Sequence, residues 1–77
     1  MTDAELIRAA IAASGLSARR FAEDVTWRDE RTIRRWGAGE PIPTTARERL
    51  VWFLAISDSK RRRLVALATA KPRGSDR

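Results

Sequence analysis

The sequence predicts an all-α domain of five short helices, and three features carry that expectation. Apolar residues recur at helical spacing, i, i+1, i+4 or i, i+3, in one segment after another. Capping residues and breakers cut the chain between those segments at Gly15, at the stretch 37–43, GAGEPIP, and at Ser57-Asp58-Ser59. A chain of 77 residues is close to the lower limit at which a single core stabilises itself, so all the helices must share one core. The domain is expected over 1–70. The polar, breaker-rich KPRGSDR of 71–77 reads as a disordered basic tail.

The first helix is expected to run to about Ser14, capped by Thr2 or Asp3, with Leu6, Ile7, Ala10 and Ile11 as its apolar stripe and Gly15 as its stop. Leu16 packs under the joint and Ser17 caps the second helix, which turns Phe21, Ala22 and Val25 inward and Arg19 and Arg20 outward. Ala22 is small enough to let this helix and the next cross closely; a larger side chain there costs roughly 1–3 kcal/mol by overpacking.

The third helix has a marked beginning and end. Asp29 caps it and Glu30 adds negative charge at the positive end of its dipole. Gly37 and Gly39 follow Trp36, and Pro41 and Pro43 forbid continuation, so a helix spanning 30–36 is cut out. Ile33 and Trp36 form its apolar stripe, leaving Arg31, Arg34 and Arg35 outside.

Ile42 is expected to tuck into the core. Thr44 or Thr45 caps the fourth helix, where Thr45 and Glu48 have the spacing of a capping box. Ala46, Leu50, Phe53 and Leu54 form its core stripe; Val51 and Trp52 fall off it, and an outward tryptophan marks a possible subunit interface. The fifth helix follows over about 59–70, with Leu64, Leu67 and Ala68 on one face and Val65 widening it. Lys60, Arg61, Arg62 and Arg63 crowd its first turns, against the helix dipole, which suggests that something anionic compensates.

Composition narrows the function classes. No cysteine and no histidine are present, which removes disulfides, thiolate chemistry, zinc sites and the usual general base. Glu23, Asp24, Asp29 and Glu30 lie close together, but caps and surface charges explain them, so no enzyme, cofactor or metal site is expected. There is no membrane-length apolar run, and MTDAEL lacks the features of a signal peptide, so a cytoplasmic location is expected. The formal net charge is +6, and every basic residue except Lys60 and Lys71 is arginine. That choice leans toward phosphates and guanine edges. RNA fits less well: tyrosine is absent and both phenylalanines are expected in the core, leaving no exposed ring of that kind to stack unpaired bases.

At this point the chain resembles a known family. SARRFAEDV followed by DERTIRRW is similar to the Cro/repressor-type, lambda-repressor-like helix-turn-helix. Phe21-Ala22 matches the family's Leu-Ala, Asp29 its capping residue, and Thr32-Ile33 with Trp36 the anchor of the recognition helix. The resemblance covers roughly 6–54 and is greatest to small single-domain phage and prophage regulators, including anti-CRISPR-associated repressors. Two departures stand out: Thr26 replaces the turn glycine, and the turn is one residue longer, with Trp27 and Arg28 in it.

The resemblance implies a compact five-helix domain that binds sequence-specific double-stranded DNA as a transcriptional regulator, with the helix 30–36 in the major groove. Base reading falls on Glu30, Arg31 and Arg35. Arg31 or Arg35 can clamp guanine O6 and N7, and Glu30 can accept from a cytosine amino group. Phosphate contacts fall on Ser17, Ala18, Arg19, Arg28 and Arg34, and the run Arg61, Arg62, Arg63 adds a clamp. One short helix reads only about four base pairs, so a homodimer on a palindromic operator is expected, with Trp52, Leu64 and Leu67 at the interface. Small size favours repression by occlusion, with no small-molecule ligand. The alternative is a protein-interaction module, an antitoxin or adaptor, using Trp27, Trp52 and the fifth helix.

Overall fold

Thr2 opens the first helix. In the computed structural model, which describes residues 1–70, its hydroxyl accepts from the Glu5 backbone N–H at 3.1 Å, and the Glu5 carboxylate accepts from the Thr2 N–H at 2.8 Å. This reciprocal capping box starts α1, Asp3–Ser14, which ends where Gly15 takes the left-handed conformation at φ 75. The expected box at Thr45 and Glu48 does not form. α4, Thr44–Ala55, instead starts after Pro43 with no side-chain cap. The expected tail, 71–77, lies outside the described residues.

The second helix, α2, spans 18–26 and is not uniform. Ser17 Oγ accepts from the Arg20 N–H at 3.2 Å, one α-helical turn forms over Ala18–Arg20, and Phe21–Thr26 widens into a π-helix. The extra residue of the joint is therefore absorbed inside the helix, as a π-bulge does. The N–H groups of Trp27 and Arg28 both reach back to Ala22 O, and the Thr26 hydroxyl donates to the same oxygen at 3.1 Å. The left-handed position falls on Trp27, at φ 58, and not on Thr26.

α3, Glu30–Gly37, starts at Asp29, whose carboxylate accepts from the Arg31 N–H at 3.2 Å. At its far end Gly39 sits at φ 113, with bonds from Gly39 N–H to Trp36 O and from Glu40 N–H to Arg35 O. These two bonds are those of a Schellman motif, which requires the left-handed residue that glycine supplies at lowest cost.

α2 and α3 bury Phe21, Ala22, Ile33 and Trp36 against Leu6, Ile7 and Ala10 of α1 and Leu50 and Phe53 of α4, with Ile42 closing the side. Phe21 and Phe53 meet edge to face at 6.1 Å between centroids. Asp3 ties three parts together: its carboxylate accepts from the Ile42 N–H at 2.9 Å and from Arg47 Nε at 2.8 Å. The Ile42 bond first, and Arg47 second, hold its carboxyl below its ordinary range. Arg8 Nη2 donates to Gly37 O at 2.5 Å, fixing the end of α3 to α1.

α5, Asp58–Ala70, buries no residue fully. Val65 is its contact with the core, whereas Leu64 and Leu67 are exposed, so the inward face is rotated from the expected one. The described residues form five helices and no strand. No helix among them is long and apolar enough to cross a membrane.

Candidate nucleic-acid interface

α3 is anchored on one side and open on the other. Ile33 and Trp36 are 1% and 3% exposed, while Arg31, Arg34 and Arg35 are all exposed. At about 100° per residue these three arginines fall within an arc of roughly 100° opposite the buried pair. Capped at both ends and fastened by Arg8, the helix presents them from a fixed axis.

The three differ in what engages them. Glu30 binds Arg34, with Nη2 at 2.7 Å and Nε at 3.0 Å from the carboxylate. The side chains of Arg31 and Arg35, one turn apart, make no ion pair or hydrogen bond among the described residues. No protein-family model, curated protein or solved structure matches the chain.

Around α3, the structure brings most of the expected phosphate contacts onto one two-helix unit. Arg28 leaves the joint with its guanidinium 5.4 Å from the Trp36 ring centroid, a cation–π contact. Arg19 pairs with Glu23 at 3.2 Å and Arg20 with Asp24 at 2.9 Å. Ser17 Oγ is occupied as the cap of α2, whose first-turn N–H groups at Ala18 and Arg19 lie at the positive end of the dipole.

Arg61 is a correction to the expected clamp. Its side chain, 11% exposed, points back at the C-terminus of α4, donating from Nε to Phe53 O at 3.0 Å and from Nη2 to Leu54 O at 3.1 Å and Ile56 O at 2.8 Å. Nη1 reaches Asp58 at 2.6 Å. The anionic compensation expected for this basic run thus comes, for Arg61, from the negative end of the preceding helix. A break of only a few residues between two helices, followed by arginine one turn into the second, is the sequence signal that points to this. Arg62 and Arg63 remain exposed.

The expected interface residues are all accessible: Trp52 is 55% exposed, Leu64 38% and Leu67 66%. Trp52 and Leu64 border a groove of about 230 Å³ that Val25, Trp27, Val65 and Ala68 also line. Trp27, 77% exposed, thus stands beside residues of α4 and α5 far from it in sequence. Sequence reasoning missed Arg49, which lines a second cleft together with Arg28 and Trp36.

Proposed function

We propose that the chain is a sequence-specific double-stranded DNA-binding regulator of the Cro/repressor helix-turn-helix type. In this reading α2 and α3 are the motif, α3 lies in the major groove, and a homodimer represses by occluding a palindromic operator. The observation that carries it is the open arc of α3, where Arg31 and Arg35 project one turn apart from a core-anchored helix with no acid among the described residues engaging them. Guanidinium groups presented in that way can clamp guanine edges. Glu30 orients Arg34 toward the phosphates through their ion pair, and Arg19 and Arg28 flank it on the same unit, with Arg62 and Arg63 on α5. A net charge of +6 supplies the sequence-independent attraction on which such binding rests.

The test is binding of a labelled random duplex at about 50 mM and about 200 mM salt. A protein making six or more phosphate contacts loses roughly a thousandfold in affinity between them. Site selection from random DNA then yields the operator, and sedimentation yields the stoichiometry. Two-to-one binding to a palindrome is expected; one-to-one binding by a monomer at tens of micromolar removes the dimer. The second reading, a protein-interaction module such as an antitoxin or adaptor, draws support from exposed Trp27 and Trp52 bordering one groove. It predicts little duplex binding at either salt.

A further inference from the structure

Two tryptophans stand in solvent where the joint after α2 meets α4 and α5. Trp27 is 77% exposed and Trp52 55% exposed, and both border the groove of about 230 Å³ that Val25, Phe53 and Leu64 also line. Asp24, the one acid among the lining residues, is held by Arg20 at 2.9 Å. The cleft bordered by Arg28 and Arg49 shares Val25, Trp52 and Phe53 with this groove, so the two abut across Trp52. Arg28 follows Trp27 in the chain, and Arg49 lies one turn before Trp52 on α4. Both arginines are exposed, and neither guanidinium makes an ion pair or a side-chain hydrogen bond among the described residues. Trp27 also sits at φ 58, a left-handed position that glycine takes at lower cost. A ring that is costly to hold there and gains little burial points to a functional use.

We infer that this face binds unpaired nucleotides of single-stranded nucleic acid, with bases stacked on Trp27 and Trp52 and phosphates held by Arg28 and Arg49. Accessible flat rings interleaved with unpaired guanidiniums are what such a platform needs, since every base has a stacking face and every linkage a phosphate. The exposed ring that tyrosine and phenylalanine do not supply is supplied here by tryptophan. A second copy fits this face less well: a two-fold axis through it brings these arginines against their own images, and like charges repel. An aliphatic protein segment fills the groove but leaves both guanidiniums unpaired. The inference does not rest on the duplex-binding reading, because Glu30, Arg31 and Arg35 take no part in it.

Tryptophan emission and indole N–H spectra of the full chain, titrated at low salt with oligothymidylate of about 12 nucleotides, test it. Saturable quenching is expected with a dissociation constant of about 100 μM or tighter, and the indole signals of Trp27 and Trp52 should shift. An abasic strand of the same length keeps the phosphates and lacks the bases, and it should bind about tenfold more weakly. Trp27→Gly, which suits the backbone, and Trp52→Ala should each weaken binding about fivefold or more with the helical spectrum unchanged. Trp52→Phe should recover part of the loss and Trp52→Leu should not, because only the former restores a ring. Arg49→Gln should lower the salt slope by about 0.7, and Trp27→Gly should leave duplex binding unchanged. Oligouridylate identifies the source: tighter oligothymidylate binding assigns DNA, and equal or tighter oligouridylate binding assigns RNA. The inference is overturned if the abasic strand binds as tightly, if Trp52→Leu binds like the parent, if Arg49→Gln keeps the parent's slope, or if no saturable binding appears. It is equally overturned if Trp27→Gly loses as much affinity for duplex as for the single strand. So it is if Trp52→Ala turns an oligomer into a monomer without changing oligothymidylate affinity, which makes the face a subunit interface.

Discussion

Replacing Arg61 by alanine separates a helix cap from a phosphate clamp. The side chain donates three hydrogen bonds to carbonyls at the end of α4 and lies 5.8 Å from the Phe53 ring centroid. A bond exchanged against water nets about 1 kcal/mol, and this guanidinium is mostly shielded, so losing the three costs about 3 kcal/mol. The Asp58 partner is 83% exposed, and that pair adds little. Against a total stability of roughly 5 kcal/mol for so small a domain, Arg61→Ala should remain mostly folded at 25 °C. Its melting temperature should nevertheless drop by about 12–24 °C. Arg61→Lys should recover only part of the loss, because an ammonium on a shorter reach cannot fork across three carbonyls. Thermal unfolding followed by circular dichroism measures the loss. Duplex binding at two salt concentrations, below the variant's transition, supplies the second readout: Arg61→Ala should keep the parent's slope, while Arg62→Gln lowers it by about one. A variant that melts within about 3 °C of the parent, or that loses a unit of salt slope while staying folded, refutes the capping argument.

Three further outcomes are expected. Trp36→Ala should cost roughly 3–5 kcal/mol, enough to unfold much of the domain, and a denaturant titration checks it. Glu30→Gln releases Arg34 and removes a charge repelled by phosphate, so it should raise affinity for every duplex by up to about fivefold. A change in the affinity ratio between operators differing at one base pair would instead make Glu30 a reader. Asp3 and Glu5 both have folded carboxyl values lowered from ordinary ones of 3.8 and 4.5, so they contribute stability above those values that is lost as pH falls through the folded values. The urea midpoint should therefore decline below pH 4.5, and Asp3→Asn should flatten the part of the decline below 3.8, leaving the Glu5 share.

How much was legible in the sequence depended on how local each signal was. The helix of 30–36 was readable because its cap, its breakers and its two buried anchors lie within a dozen residues, and the structure extends it only to Gly37. Gly15, Ser17 and Asp29 act locally in the same way. The choice between Thr2 and Asp3 was open because Asp3 has a distant use: it meets Ile42 and Arg47, residues that only the fold brings near. The capping box went to Thr2 and Glu5 and not to Thr45 and Glu48, although the spacing is the same.

The engagement of Arg61, to which only the short break before α5 points, the arginine-bordered cleft and the rotation of α5 were hard to read in the sequence for a common reason. Each depends on where a second helix lies. The run from Lys60 to Arg63 is uniform as text, yet the packing of α5 turns Arg61 toward the α4 carbonyls and leaves Arg62 and Arg63 in solvent. By itself the sequence determined an all-helical chain, its helix boundaries to within a residue or two, and which arginines lie opposite the α3 anchors, since spacing along a helix dictates the face. The tertiary structure alone decided the partners of Arg8, Arg47 and Arg61, because these are set by distances of a few ångströms between separate helices, whereas the Glu30–Arg34 pair lies one turn apart within α3.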